Sequence, residues 1–389
     1  MRKAAMQTWW RSANELDEDQ RNIMGLPPDG SFVLKGAPGS GKTNLLLMRA
    51  AYLTSLRRNI AVVVLNRSLA EFIRSGAQAY GLEPDSVFTS RGLVAEMARE
   101  AGIPLDRNAS YEEGREEALQ TLINIHKKTN GPIYDAIFID EAQDHNAKEI
   151  QALRALTRDI FLTTDSRQMI YAGGTKADSF ADLVDDVKTL NFHYRCSPHI
   201  CDLADAIGDT FSTGYERIAP TSRYPTDAPN EIVRVFNGNL LKQAELIGER
   251  LAGQVRAYRG QLIGVFAPKR EDVAIITGHL RDIGLGDLLT VQTSDTGYLP
   301  LDEKRPICVS TVHGAKGLEY QAVHFAAAET VRTCGSNQKR VAFTGVTRAK
   351  SSLSVYHDGQ LPGYLNAALD PYRDQTDQTD WTSIFNARN

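Results

Sequence analysis

Basic residues hold no surplus in this 389-residue chain: 44 lysines and arginines against 48 aspartates and glutamates leave a formal net charge of −4. No global basic field therefore draws in nucleic acid, and any such partner would have to meet a local patch. Cysteine is scarce. Cys196, Cys201, Cys308 and Cys334 lack the paired spacing of a secreted disulfide scaffold, which points to a reducing cytoplasm. Cys196, His199 and Cys201 lie close together, but no second CxxC-like pair completes a tetrahedral metal site, and packed thiols are the simpler reading. Long apolar runs are missing as well. The longest, residues 60–65, has the length of a buried strand and falls far short of a bilayer, and the basic residues 1–10 are followed by polar ones instead of an apolar signal core. Neither a signal peptide nor a membrane function is expected.

What the chain does contain is Gly36-Ala37-Pro38-Gly39-Ser40-Gly41-Lys42-Thr43, a full match to G-x-x-x-x-G-K-[ST]. An apolar run at 31–34 precedes it and a helical stretch from Thr43 follows, the strand and helix that such a phosphate loop requires. Gly36, Gly39 and Gly41 let the backbone curl, with Ser40 between them, so that consecutive N–H groups and the helix N-terminus point at a β-phosphate. Lys42 is expected on the β- and γ-phosphates of a nucleoside triphosphate and the Thr43 hydroxyl on Mg²⁺.

Apolar runs at 31–34, 60–65, 134–139 and 159–163 alternate with helical stretches, the signature of a parallel sheet covered by helices, and each ends in polar residues where ligands bind such sheets. Between 74 and 131 the pattern turns helical. Ser110-x-x-Glu113 ahead of Ala118, Leu119, Leu122 and Ile123 reads as a capping box opening an amphipathic helix, with a solvated acidic face at Glu112, Glu113, Glu116 and Glu117. A second α/β pattern follows, with strands expected at 231–236, 262–266, 307–311, 323–326 and 353–356 and helices at 240–251 and 271–283. The expected division is 1–190 and 191–389, with a reduced helical insertion near 92–130 and a polar tail from 370.

Ile137-Phe138-Ile139-Asp140-Glu141-Ala142-Gln143-Asp144 is an apolar strand ending in adjacent carboxylates. Asp140 is the candidate Mg²⁺ ligand and Glu141 the candidate general base. As written, Asp-Glu-Ala-Gln-Asp resembles the second motif of the UvrD/Rep-like branch of superfamily 1 DNA helicases, and further landmarks fall in that family's order. Leu16-Asp17-Glu18-Asp19-Gln20 resembles the Q-motif, in which the glutamine reads adenine. Asp165-Ser166-Arg167-Gln168-Met169-Ile170-Tyr171 resembles the third motif, with Gln168 sensing the γ-phosphate. Phe192-His193-Tyr194-Arg195 resembles the fourth, with Tyr194 stacking on adenine and Arg195 approaching the γ-phosphate. The stretch from Ser310 to Tyr320 resembles the fifth, placing Glu319 near the ribose. Val346-Thr347-Arg348-Ala349-Lys350 resembles the sixth, making Arg348 a second arginine finger.

The resemblance implies an α/β chain of two RecA-like P-loop domains, with Arg195 and Arg348 on the second and ATP between them. It also implies an ATP-hydrolysing, cytoplasmic helicase or translocase on single-stranded DNA with 3′-to-5′ polarity. Nucleic-acid contacts would fall at Asn66, Thr89, Arg91 and His313, with RNA left open as the strand. The pattern departs from the family in two places. The intervals before Asp140 and after Arg195 lack the large insertions common among unwinding members, and Ala172-Gly173-Gly174 stands where an aromatic and an arginine often engage the strand. One stacking platform, worth about 1–3 kcal/mol per base, is then missing. A regulatory ATPase that senses DNA and acts with a partner such as a nuclease, without processive unwinding, is the alternative.

Overall fold

The computed structural model describes residues 11–64, 66–106, 111–129, 131–171, 174–175, 177–212, 214–225, 228, 233–293, 301 and 304–375. Two compact units divide them: the first takes the described part of Met1–Arg195 with Ser294–Glu303 and Lys316–Leu318, the second the remainder. Each is built on one parallel six-stranded sheet.

In the first unit, β1 (Phe32–Gly36), β2 (Ile60–Val64), β3 (Val87–Thr89), β4 (Tyr134–Ile139), β5 (Thr157–Thr164) and β6 (Asp186–Leu190) lie in the order β3-β2-β4-β5-β1-β6. All five pairings are parallel, with Val33 opposite both Leu162 and Val187. Parallel sheets are covered on both faces, so their central strands read as unbroken apolar runs. In β2 the sequence Ile-Ala-Val-Val-Val is buried at every position. The covering helices are α1 (Glu18–Met24), α2 (Lys42–Ser55), α3 (Arg67–Gly76), α4 (Ser90–Glu100), α5 (Tyr111–Lys128) and α6 (Ala147–Arg154). Val33, Val63, Ile137, Ile139 and Leu162 pack against Leu93, Met97, Leu122 and Ile150 in one core cluster.

A second layer of this unit is aromatic. Phe161 stacks on Phe138 at 4.6 Å between ring centroids and meets Phe32 edge-on at 4.8 Å. The buried Arg49 guanidinium lies 5.0 Å from the Phe161 centroid and donates to the main-chain oxygens of Leu26, at 3.0 Å, and Pro27. Its charge is covered by a π face and carbonyls where water is excluded.

Residues 74–131 are not helical throughout as expected, because β3 interrupts them. Three residues on a sheet edge, two of them half-exposed, leave too short an apolar pattern to read. The expected amphipathic helix forms as α5, while Ser110, its expected cap, lies outside the described residues, as do Ala172, Gly173 and the tail beyond 375.

In the second unit, β7 (Arg234–Asn237), β8 (Ile263–Ala267), β9 (Leu289–Gln292), β10 (Ile307–Thr311), β11 (Tyr320–Phe325) and β12 (Ala349–His357) lie in the order β7-β12-β11-β8-β10-β9, again all parallel. Helices α7 (Pro198–Gly208), α8 (Leu240–Ala257), α9 (Arg270–Leu280), α10 (Gln338–Val346) and α11 (Gly363–Leu369) accompany them. Ile247, Leu251, Val265, Ile276, Val309 and Ala322 share its core. Within it the buried His324 ring is held at both nitrogens, Nδ1 2.8 Å from the Tyr356 hydroxyl and Nε2 2.7 Å from Gln254 Oε1. Gln254 Oε1 only accepts, so Nε2 carries the proton and Nδ1 accepts from Tyr356. Among the described residues no helix is long and apolar enough to cross a membrane.

Candidate functional site

The C-terminal ends of β1, β4, β5 and β6 are neighbours in the first sheet, and the loops that leave them carry most of the expected site residues. The loop after β1 turns on Gly39 at φ +78° and Gly41 at φ +87°, left-handed backbone that glycine adopts without penalty. Glycine is also needed there for space. A Cβ at Gly36 would come within 2.5 Å of Ser40 Oγ, one at Gly41 within 2.9 Å of Gln20 Nε2, and one at Gly39 would collide with the Arg195 side chain. The loop is thereby packed by the residues the sequence marks at 20 and 195.

Lys42 opens α2 and is nearly buried, with Nζ donating to Gly36 O at 2.8 Å and Ala37 O at 3.0 Å. Burial holds its pKa below the ordinary lysine value, against the pull of Asp165, Glu141 and Asp140. Thr43 Oγ1 donates to Asp140 Oδ2 at 2.9 Å, and Thr163 donates to the other oxygen of the same carboxylate. Burial and the adjoining Glu141 push Asp140 up to about 6.

Glu141 follows at φ 52°, ψ 45°, a left-handed conformation that costs a residue with a Cβ about 1–2 kcal/mol. Its Oε2 accepts from Gln143 Nε2 at 2.5 Å, Gln143 Oε1 accepts from Asp165 N at 3.1 Å, and Gln168 Nε2 donates to Asp165 Oδ2 at 2.9 Å. A relay of side chains thus runs from the end of β4 to the turn after β5. Burial would raise Asp165, but Arg167 and Lys42 outweigh it and keep its pKa below the usual carboxylate value.

Gln143, Thr163 and Asp165 carried no expected role, and neither did Asp144, Lys316 and Asp17. Lys316, fully buried, donates to the Asp144 carboxylate and to Gln168 O at 2.5 Å and lies 3.6 Å from Glu141 Oε2. Burial pushes Asp144 up to about 6 in spite of that ammonium group. The Asp17 carboxylate caps α1 by accepting from Gln20 N at 2.7 Å and also accepts from the Tyr194 hydroxyl.

Gln20 and Tyr194 are both anchored, and the Gln20 amide keeps further bonding capacity. Gln20 Oε1 accepts from Asp17 N at 3.1 Å and its Nε2 donates to Ser40 O at 2.9 Å, and an amide of this kind has a second lone pair and a second hydrogen. Tyr194 N donates to Gly39 O at 3.1 Å, while its ring is half-buried. The handover expected near 190 comes between Arg195 and Cys196, and this anchoring on Gly39 is why Arg195 stays with the phosphate loop.

The candidate nucleic-acid residues fall in both units: Asn66, Thr89 and Arg91 in the first and His313 in the second. Asn66 and Thr89 are N-caps, Asn66 Oδ1 accepting from Leu69 N at 2.8 Å and Thr89 Oγ1 from Gly92 N at 3.1 Å. Asn66 also donates to Lys316 O at 2.9 Å. Arg91 is exposed beside β3, the edge strand farthest from β6, with its guanidinium over Gly114. In the second unit His313 follows the C-terminal end of β10, whereas Glu319 and Arg348 flank the starts of β11 and β12. There Glu319 Oε2 pairs with Lys350 Nζ at 3.2 Å and Arg348 is buried, its carbonyl accepting from Tyr320 N at 3.1 Å.

A phosphate group and its divalent cation suit the residues present in the first unit. The buried Ser40 hydroxyl has no hydrogen-bond partner among the described residues, the loop glycines exclude any side chain from the cradle, and Thr43 and Asp140 present two adjoining hard oxygen donors.

Comparison with known proteins gives two family matches. Residues 28–180 match the model of an AAA domain, and residues 306–356 match that of the UvrD-like helicase C-terminal domain. Among solved structures, the C-terminal domain of a possible DNA helicase from Lactobacillus plantarum WCFS1 is similar at 19% identity, covering 44% of this chain and 91% of that one with a TM-score of 0.33. No curated protein matches the chain significantly.

Proposed function

We infer that this UvrD-like chain, a P-loop AAA domain joined to a UvrD-like helicase C-terminal domain, is an ATP-hydrolysing motor that moves 3′-to-5′ along single-stranded DNA. The observation that carries the reading is the hydrogen bond from Thr43 to Asp140, with Lys42 on one side and Glu141 on the other.

In this reading Gln20 reads the adenine edge, the Tyr194 ring stacks on the base and Glu319 lies near the ribose. Lys42, Ser40 and the N–H groups between Gly36 and Thr43 bind the phosphates, and Thr43 with Asp140 would hold Mg²⁺. That ion, when bound, neutralises charge on the β- and γ-phosphate oxygens. Glu141 orients the attacking water and accepts its proton on the carboxylate. Gln168 senses the γ-phosphate, and Arg195 and Arg348 neutralise the charge that develops as it leaves. Asn66, Thr89, Arg91 and His313 contact the strand. The setting is the cytoplasm.

Steady-state ATP hydrolysis with and without single-stranded DNA tests this, with Arg348→Ala as the control. Stimulation by DNA that disappears in the variant is the expected result; a flat rate indifferent to DNA overturns the motor. Displacement of a strand from duplexes tailed at the 3′ or the 5′ end then reads polarity.

A second reading, a DNA-sensing regulatory ATPase working with a protein partner such as a nuclease, is favoured by one observation. Among its described residues the second unit consists of one six-stranded sheet and its helices, with no second sheet inserted. DNA-stimulated hydrolysis without strand displacement would select it.

A further inference from the structure

Base recognition in the reading above rests on Gln20 and Tyr194, and the hydrogen bonds around α1 show what holds those two side chains in register. Gln20 lies in the first turn of a seven-residue helix, too short to hold its orientation without tertiary contacts. Two contacts come from the segment after β6. The Tyr194 hydroxyl donates to the carboxylate of Asp17, the residue that caps the helix, and Asn191 Nδ2 donates to Asp19 Oδ2 at 2.8 Å. Asp17 therefore serves two partners, Gln20 through the capping box and Tyr194 through its hydroxyl. At its other end Tyr194 is fixed to the phosphate loop through Gly39 O, and Gln20 to the same loop through Ser40 O. The result is a closed circuit: Gln20, Ser40, Gly39, Tyr194, Asp17 and back to Gln20.

We propose that Asp17 and the Tyr194 hydroxyl form a latch that fixes the angle between the Gln20 amide and the Tyr194 ring, and so sets the preference for adenine over guanine nucleotides. Stacking on an aromatic face tolerates every base, because each has a π surface. Discrimination needs donors and acceptors aimed at the base edge, and a misaligned amide loses it while the stack survives. Asp17 is a positioning residue in this scheme, acting through Gln20 without touching the nucleotide.

The proposal rests on the ATP-binding reading, and the test separates the two. Equilibrium binding of ATP and GTP in Mg²⁺, read by calorimetry on the full chain, gives the ratio of their dissociation constants. Tyr194→Phe keeps the ring and removes only the hydroxyl, and is expected to shrink the ATP preference about tenfold, the scale of a charge-assisted hydrogen bond. Asp17→Ala should lower the ratio as much. Asp17→Asn keeps the helix cap on its one oxygen but puts an N–H donor opposite the Tyr194 hydroxyl, so the cap survives and the ratio should fall less than in Asp17→Ala. Circular dichroism spectra that match the wild type guard against misfolding. A Tyr194→Phe variant with the wild-type ratio overturns the latch while leaving ATP binding intact; a wild-type chain that binds neither nucleotide overturns the underlying reading as well.

Discussion

The two sheets share a parallel architecture but spend their buried polar groups differently. In the first unit, Arg49 in the aromatic layer aside, many of those groups gather at strand ends: Lys42, Asp140, Glu141, Asp144, Asp165, Gln168 and Lys316 are all buried there, and Glu141 holds a left-handed backbone. In the second unit a network of comparable burial, His324 with Gln254 and Tyr356, lies inside the core, with both His324 ring nitrogens engaged. Charge clustered at strand ends disfavours the fold and persists where a ligand uses it; a neutral hydrogen-bonded network inside a core specifies packing. On the function proposed above, the first arrangement belongs to a site and the second to a scaffold.

Substitution of Lys42 should separate the two most sharply. Lys42→Ala is expected to reduce ATP hydrolysis by about 10³-fold or more, since it removes the cation that meets the transferring phosphoryl group. Glu141→Gln should approach that loss in turnover while still binding ATP, measured by retention of labelled nucleotide. Neither change should move the thermal transition of a core that holds His324. Loss of that core in either variant would break the distinction drawn between site and scaffold.

The scaffold has its own signature in pH. Burial, with Arg250 nearby, holds His324 well below its ordinary value of 6.5. The unfolded chain therefore takes up a proton that the folded one refuses. The stabilising contribution is present above pH 6.5 and is lost as pH falls below it. Below pH 6.5 the wild type should lose more stability than His324→Gln, which has no such proton to gain. Chemical denaturation at several pH values measures the difference, and parallel curves for the two proteins would show that the network does not exclude the proton.

How much of this was legible in the sequence depended on how far apart the partners lie. The phosphate loop and the strand ending in Asp140-Glu141 are local patterns in which spacing encodes geometry, and α2 and β4 fall where those patterns put them. The central strands were visible as apolar runs for the same reason. Lys316 and Asp144 meet across 172 residues, and Tyr194 and Asp17 across 177, so no window of sequence contains both members of either pair. Strands β3 and β6 escaped notice on other grounds. One has three residues, and the other, Asp-Val-Lys-Thr-Leu, is polar and largely exposed because it forms a sheet edge.

Strain at Glu141 offers a finer test of the same contrast. Glu141→Ala and Glu141→Gly both remove the carboxylate, so the difference between them isolates the backbone. At φ 52° the glycine variant should be more stable by about 1 kcal/mol, the reverse of the order expected at an ordinary helical position. Equal stability would mean that the turn relaxes once the carboxylate is gone and that its strain belongs to the side chain's contacts.

The smallest effect is expected at the outer edge of the first sheet. Asn66 and Thr89 are engaged as helix caps, whereas Arg91 stands exposed beside them. An arginine that meets one backbone phosphate contributes little specificity, and its loss weakens binding to all sequences alike. Arg91→Ala should therefore lower the slope of log binding constant against log salt concentration by about 0.7, the value for one phosphate of a single strand. Fluorescence anisotropy of a labelled oligonucleotide at several salt concentrations reads that slope. An unchanged slope would remove Arg91 from the strand-binding face and leave the site chemistry, confined to the strand ends near Lys42, as the part of this sheet edge with a ligand.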